Sequence, residues 1–220
     1  MGHTINHIEP ALVKLKCNTP YLKEWDGVRV EASLNLFIND KKKKSSSGEL
    51  QLTKDGISGI CIFDLSGKAN LALYNNLDVK VSINFFPRID FNKFMEKRSE
   101  ASLFNSLKTV FNKKLISIFL KESKIDGEKS YSEISSKEKE KLYNTVTNFK
   151  VTITGNNGVM NSQVCTGGVP LSEINETRME SNIIPGLYIT GEAIDVDGVC
   201  GGYNMSFAFI TGFIAGLSIK

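Results

Sequence analysis

Gly186-Leu-Tyr-Ile-Thr-Gly-Glu192-Ala-Ile-Asp195-Val-Asp197-Gly198, followed by Gly201-Gly202-Tyr203-Asn204 and an apolar run to Ile219, reads as strand, carboxylate, glycine turn and helix start. That order brings an acceptor for hydroxyl groups and a set of free backbone N–H donors to one place. A helix N-terminus carries unpaired donors and a partial positive charge, which suits an electron-rich or anionic ligand edge. Glycines let such a ligand approach the backbone closely. Many glycine turns merely reverse the chain, so the chemistry alone leaves a cofactor turn and a plain turn both open.

Around this stretch, Leu187–Thr190 is expected as a short buried strand. The run from Phe207 to Ile219 is interrupted by Thr211, Gly212, Gly216 and Ser218. It falls short of the ~20 residues of a membrane span and is expected as a buried helix. Gly212 and Gly216, one turn apart, read as close packing of that helix on a sheet. Upstream, Phe149, Val151 and Ile153 alternate with Lys150, Thr152 and Thr154. Gly155-Asn-Asn-Gly158 then reads as a hairpin turn, with Met160–Thr166 as the returning strand. Residues 149–220 thus form a third region.

Residues 88–148 are expected to be helical. Leu103, Leu107, Val110, Phe111, Phe119 and Leu120 fall near i, i+3, i+4 spacings, Asp126-Gly127 breaks the stripe, and Ser135-Ser-Lys-Glu138 offers a capping box. Residues 1–87 are β-rich. Val28, Val30, Ala32, Leu34, Leu36 and Ile38 keep strict period two, and Val79, Val81, Ile83 and Phe85 repeat it. Ala11–Leu15 and Ile60–Leu65 are shorter strand or strand–helix candidates. Turn chemistry at Asp26-Gly27, Asn39-Asp40, Ser47-Gly48 and Asp55-Gly56 separates these runs, as in a small barrel or curled antiparallel sheet. Lys41–Lys44, running into Ser45-Ser-Ser-Gly48, reads as a solvated hairpin tip.

With 41% hydrophobic and 23% charged residues, the chain has the composition of an ordinary globular protein. A net charge of +3 is too small to argue for a nucleic-acid partner, and the lysine run has no interleaved aromatics. Cys17, Cys61, Cys165 and Cys200 form no C-x-x-C pair, and His3 and His7 are the only histidines, so no metal site is expected. A reduced cytoplasmic protein fits best. Cys200, beside the glycine turn, is the one thiol singled out, against the plainer reading of a packed thiol. No catalytic residue and no Ser/His/Asp or paired-carboxylate arrangement can be named.

Thr166-Gly-Gly-Val169, Glu173-Ile-Asn175, Thr177-Arg-Met-Glu-Ser181, Pro185-Gly-Leu-Tyr188, Gly191-Glu192, Asp195-Val-Asp-Gly198 and Gly201-Gly-Tyr-Asn204 closely resemble the C-terminal region of BaiN/YhiN-type bacterial flavoproteins, which are NAD(P)/FAD-dependent oxidoreductases. Gly2-His-Thr-Ile5, Pro10-Ala-Leu-Val13, Gly48-Glu-Leu50 and Gly56-Ile-Ser-Gly59 match in the same order. The chain departs from the family at Met205-Ser-Phe-Ala208, Thr53-Lys-Asp55 and Ile60, on the side expected to face substrate.

The resemblance implies an α+β fold: a small antiparallel β-barrel domain, a helical domain, and the C-terminal segment of a two-dinucleotide-type FAD-binding domain. It places Thr190, Gly191, Glu192, Asp195, Gly201, Gly202, Tyr203 and Asn204 on the flavin. Glu192 would accept from ribityl hydroxyls, and the amides of Gly202, Tyr203 and Asn204 would face the pyrimidine edge. Asn204 is alternatively a helix cap, Asp195 and Asp197 turn formers, and Glu173 an inert polar residue before the strand. Family members begin well upstream of Gly2, with a G-x-G-x-x-G half, so a separate N-terminal FAD-binding half is the expected partner. FAD is then the expected cofactor, weak or absent on this chain alone, with NAD(P) as hydride source and a small molecule as substrate; neither nucleic acid nor membrane is expected as a partner. The rival expectation is a cofactor-free C-terminal fragment or interaction module without catalysis.

Overall fold

In the computed structural model, which describes residues 2–219, the strands are β1 (Asn6–Ala11), β2 (Leu15–Asn18), β3 (Arg29–Ile38), β4 (Lys41–Thr53), β5 (Gly56–Ser58), β6 (Val79–Asn84), β7 (Phe149–Asn156), β8 (Val164–Gly168), β9 (Ile174–Asn175) and β10 (Glu180–Ser181). The helices are α1 (Leu22–Trp25), α2 (Ile60–Tyr74), α3 (Phe91–Glu96), α4 (Leu103–Lys108), α5 (Lys113–Ser123), α6 (Ser136–Thr147) and α7 (Tyr203–Ser218). Six strands close an antiparallel barrel in the order β2-β5-β4-β3-β6-β7. The fold is therefore α+β, with a small barrel at its centre.

Period two is what closes this barrel. Ala32, Leu34 and Leu36 of β3 and Val79, Val81 and Ile83 of β6 all point inward and are buried. Trp25 is fully buried, and its indole N–H donates to the Thr53 carbonyl at 3.1 Å. The β3–β4 turn is Asn39-Asp40, both residues left-handed at φ +49° and +59°, the backbone a two-residue hairpin needs. This shortens the expected tip. Lys41–Lys44 and Ser45–Gly48 lie on β4 itself, in register from Ile38↔Lys41 to Arg29↔Gln51. Ladder hydrogen bonds hold that strand whatever its side chains, so a polar run can occupy it.

Ile60–Leu65 is helical, the first part of α2. Gly59 enters it at φ +102°, where a Cβ would sit 2.2 Å from the Glu49 carbonyl oxygen. Cys61, Ile62, Leu65, Ala69 and Ala72 then form the buried stripe of α2.

Two expectations about the third region are corrected. β7 is a barrel strand, paired with β2 through Cys17↔Ile153 and with β6 through Ile83↔Phe149. Both its edges are therefore occupied, and the strand after residue 158 has no place beside it. Gly155–Gly158 leads instead to β8, which pairs with β1 through Ala11↔Val164, Pro10↔Cys165 and Glu9↔Thr166. Residues 6–11 thus join residues 164–168, while residues 149–156 complete the barrel.

Helices α3–α6 cap the barrel and share its core. Phe85 meets Phe119 at 5.3 Å, and Phe119 meets Phe111 at 5.2 Å, in tilted and edge-on geometry. The capping box of α6 forms: Ser135 Oγ accepts from the Glu138 amide at 3.3 Å, and Glu138 Oε2 accepts from the Ser135 amide at 2.8 Å. Val110 is exposed and drops out of the expected stripe.

Three ionisable groups in the barrel core set an alkaline limit on stability. Burial chiefly pushes the Cys17 and Cys61 thiols from 9.0 up to about 12, and the Tyr21 phenol, aided by Glu122, from 10.0 to about 12. The unfolded chain ionises first, so their contribution is intact below about pH 9 and lost as pH rises toward 12. The urea midpoint is expected to drop between about pH 9 and 11, less steeply in Cys61→Ala. Equal slopes in parent and variant would contradict this.

Candidate functional site

A second, smaller core of Val169, Ile174, Met179, Ile194 and Ala215 supports the motif region. Leu187–Thr190 is half-buried extended chain rather than a buried strand, with Tyr188 bridging Glu180 only. A buried strand needs ladders on its edges, and among the described residues none flanks this one fully. The expectation of a buried α7 is also corrected. Thr211 and Ala215 are buried, whereas Met205, Phe209, Phe213 and Leu217, one row at i, i+4 spacing, are exposed. Gly212 and Gly216 meet nothing within 4 Å of an added Cβ, so their close-packing role finds no partner among the described residues.

The eight residues singled out in the sequence divide into two groups. Glu192, Gly201, Gly202 and Asn204 line one cavity of about 400 Å³ at the N-terminus of α7. Thr190, Gly191, Asp195 and Tyr203 do not line it. Gly191 is buried at φ +59°, its amide donating to Thr211 Oγ1 at 2.9 Å, so it docks the 191–193 turn onto α7. Asp195 accepts from the Gly167 amide at 3.0 Å and from Asn6 Nδ2 at 2.7 Å, and Asp197 accepts from Thr166 Oγ1 at 2.8 Å. Asp195 ties the motif loop to β1 and β8, and Asp197 ties it to β8. Tyr203 is exposed.

Within the cavity, Gly202 caps α7 at φ +90°, and no side chain caps that helix. The Asn204 side chain does not serve as the cap. It pairs with the peptide of Gly198, accepting from N at 2.7 Å and donating to O at 3.1 Å, and so closes the 198–204 loop. Glu192 Oε1 accepts from the Cys165 amide, which leaves its other oxygen free of protein partners among the described residues. Burial first, then the Glu192 charge, raises the Cys165 thiol above its usual range. Cys200 donates its amide to Asp64 Oδ1 at 2.9 Å, fixing the loop to α2.

Sequence reasoning missed Leu12, Gln163 and Val164, which also line the cavity. Leu12 sits at φ +49°, and no local pattern marks it. It also missed Glu173. Far from inert, its Oε2 meets His3 Nδ1 at 2.7 Å and accepts from the Thr4 amide at 3.1 Å, while His3 Nε2 meets Ser181 Oγ at 2.8 Å. Hydrogen bonding from Thr4 first, with His3 adding to it, holds the Glu173 carboxyl below its usual range. Among the described residues, no cluster of three His, Cys, Asp or Glu could hold a metal ion, and no helix is long and apolar enough to cross a membrane.

A closed antiparallel barrel with a helical cap, joined to a glycine-turn helix whose N-terminus no side chain caps, defines a barrel-bearing α+β protein. The chain belongs to the HI0933-like protein family: residues 9–164 match its barrel and H2TH domain, and residues 125–218 match its Rossmann domain. This establishes the resemblance to BaiN/YhiN-type flavoprotein oxidoreductases. A 3-dehydro-bile acid delta(4,6)-reductase of Clostridium scindens is 36% identical over 98% of this chain and 54% of its own length. Ribosomal RNA dihydrouridine synthases of Escherichia coli and Haemophilus influenzae are 30% and 29% identical, over 73% and 86% of this chain and 39% and 46% of theirs. The chain spans about half the length of these curated relatives, or less.

Proposed function

We propose that this chain provides the barrel, the helical cap and the C-terminal FAD-binding part of an oxidoreductase that passes hydride from a nicotinamide through flavin to a small organic substrate. The observation that carries the reading is the cavity where a half-free carboxylate and an uncapped helix N-terminus meet. The donor set fits the flavin end of FAD. Glu192 has an oxygen left to accept from ribityl hydroxyls, and the first amides of α7 suit an electron-rich ring edge. Gly202 is required by its positive φ and leaves open space where a side chain would stand. Bound there, FAD would supply the hydride chemistry. The chain's part is to orient the ring, hold the ribityl chain through Glu192, and stabilise negative charge at the ring edge.

The adenine-binding half is the partner in this reading, in the same polypeptide or another. The exposed row Met205, Phe209, Phe213 and Leu217 is an apolar stripe of the kind that a Rossmann helix lays on its sheet, and the relatives have the extra length to supply one. Four free cysteines suit a reducing cytoplasm. Reduction of uridine in RNA is the second substrate reading, favoured only by the names of the two synthases. A cofactor-free module is the rival, and it requires no FAD binding even when the complementary half is present.

Titration with FAD, followed by fluorescence quenching, tests this. The chain alone should stay nearly colourless, and adding the complementary half in trans or by fusion should create the site. There, Glu192→Ala should weaken FAD by about ten- to a hundredfold, the loss of a charged hydrogen bond of about 1.5–3 kcal/mol. Glu192→Gln should cost less, since an amide oxygen still accepts. If Glu192→Ala binds FAD like the parent with its fold unchanged, this carboxylate does not hold the cofactor.

A further inference from the structure

One edge of β3 is paired along only part of its length. Against β4 the strand is in register from Arg29 to Ile38, but against β6 only from Ser33 to Ile38. Two hydrogen bonds turn the chain away after Asn84. The Phe85 amide donates to the Val146 carbonyl at 3.0 Å, and the Phe86 amide donates to Asn84 Oδ1 at 2.8 Å. Pro87, next in the chain, has no N–H to offer. Successive peptides of a strand point to opposite edges, and the Val28 carbonyl accepts from the Leu52 amide of β4. The Arg29 and Glu31 peptides therefore face away from β4, into the gap that β6 leaves. Among the described residues, no hydrogen bond satisfies them from that side.

A groove of about 380 Å³ lies at this gap, lined by Val30 and Glu31 of β3 and by the residues that follow β6, Phe85 to Ile89, together with Val110 and Phe111. Its lining is apolar and largely aromatic. Phe86 stands 5.8 Å from Phe111 and 5.0 Å from Phe94, ring to ring, so the groove is anchored in the packing of the helical cap. Ile89 and Val110 are large apolar side chains left in solvent. The two charged residues of the lining neutralise each other, since Arg88 donates to Glu31 Oε2 at 2.8 Å. That pair is exposed and worth little, so it opens at small cost. No unpaired charge remains in the lining to attract a charged ligand. What remains is an apolar surface beside main-chain donors and acceptors at strand spacing.

We propose that this gap takes an extended, uncharged peptide as an added strand, which pairs its main chain with Arg29 and Glu31 and lays one large apolar side chain on Phe86, Ile89 and Val110. The added strand continues along β3 the ladder that β6 makes from Ser33 onward. A small apolar molecule would use the rings and leave the Arg29 and Glu31 peptides unpaired, whereas a peptide strand uses both. The groove shares no lining residue with the cavity at α7, so it stands whether or not that cavity holds flavin.

Fluorescence polarisation of a labelled, end-blocked pentapeptide of alternating threonine and valine around a central phenylalanine, titrated with this chain, tests it. Saturable binding is expected. N-methylation of the peptide, one residue at a time, should weaken binding at least about tenfold at alternate positions and little at those between, because only every second N–H of a strand points at one neighbour. Ile89→Asp with Val110→Asp, both at exposed positions, should weaken it by at least about tenfold and leave the melting temperature unchanged. A response to N-methylation without that period overturns the proposal, and so does the absence of saturable binding. Full binding by the double variant overturns it as well. N-acetylphenylalanine amide binding as tightly as the pentapeptide would give the groove to a small molecule instead. Self-association of the chain that the double variant abolishes, with no peptide bound, would give it to a second copy.

Discussion

Phe209→Asp combined with Phe213→Asp is expected to abolish assembly with the complementary half and leave the barrel intact. The two rings are 73% and 68% exposed on one row of α7, yet neither contributes to the core of this chain. Covering a phenylalanine fully is worth about 1.5–3 kcal/mol, so losing both should weaken association by about a hundred- to ten-thousandfold. Placing two carboxylates in the interface adds a desolvation cost in the same direction. Thermal unfolding of the isolated chain should not fall, since the substitutions sit in solvent there. Sedimentation or FAD-dependent fluorescence of the mixture measures the effect. Unchanged assembly would mean that the row is not the docking face.

Gly167→Ala is expected to cost about 3 kcal/mol or more and to dismantle the site from the other side. Gly167 lies at φ +96°, and a Cβ there would stand 2.2 Å from the His7 carbonyl oxygen. Backbone has to move on one strand or the other, so the β1–β8 ladder opens. With it go the Gly167 amide that Asp195 accepts and the Cys165 amide that Glu192 accepts. FAD binding by the assembled protein should fall with stability, whereas the barrel core, which shares no residue with this ladder, should keep its slow hydrogen exchange. A urea midpoint equal to that of the parent would contradict the close approach.

Where a local period or a short motif carried the information, the sequence was readable. β3 and β6 followed from alternation because each side chain on a strand takes the opposite face to its neighbour, whatever lies across the sheet. The α6 cap followed from Ser135 and Glu138, three residues apart, and the Asn39-Asp40 turn from residues that tolerate left-handed backbone. Ile60–Leu65 was ambiguous for the opposite reason: a short apolar run satisfies both periods, and only Gly59 at its entry leads into a helix. Half of the motif residues came together in the cavity, since glycines and a carboxylate in one short stretch mark a turn chemically. Asp195, Gly191 and Asn204 proved to hold the turn's shape through side chain or main chain.

By itself, then, the sequence determined barrel strands β3 and β6, the capping box of α6, the glycine-turn helix and the family, because each is written in neighbouring residues. Only the tertiary structure decided that β7 closes the barrel, that β1 pairs with β8 across some 150 residues, and that His3 and Thr4 rest on Glu173. It also decided that the apolar row of α7 faces outward. These are pairings between distant segments. Their free energy lies in edges already occupied and carbonyls already approached, neither of which has a local period to announce it.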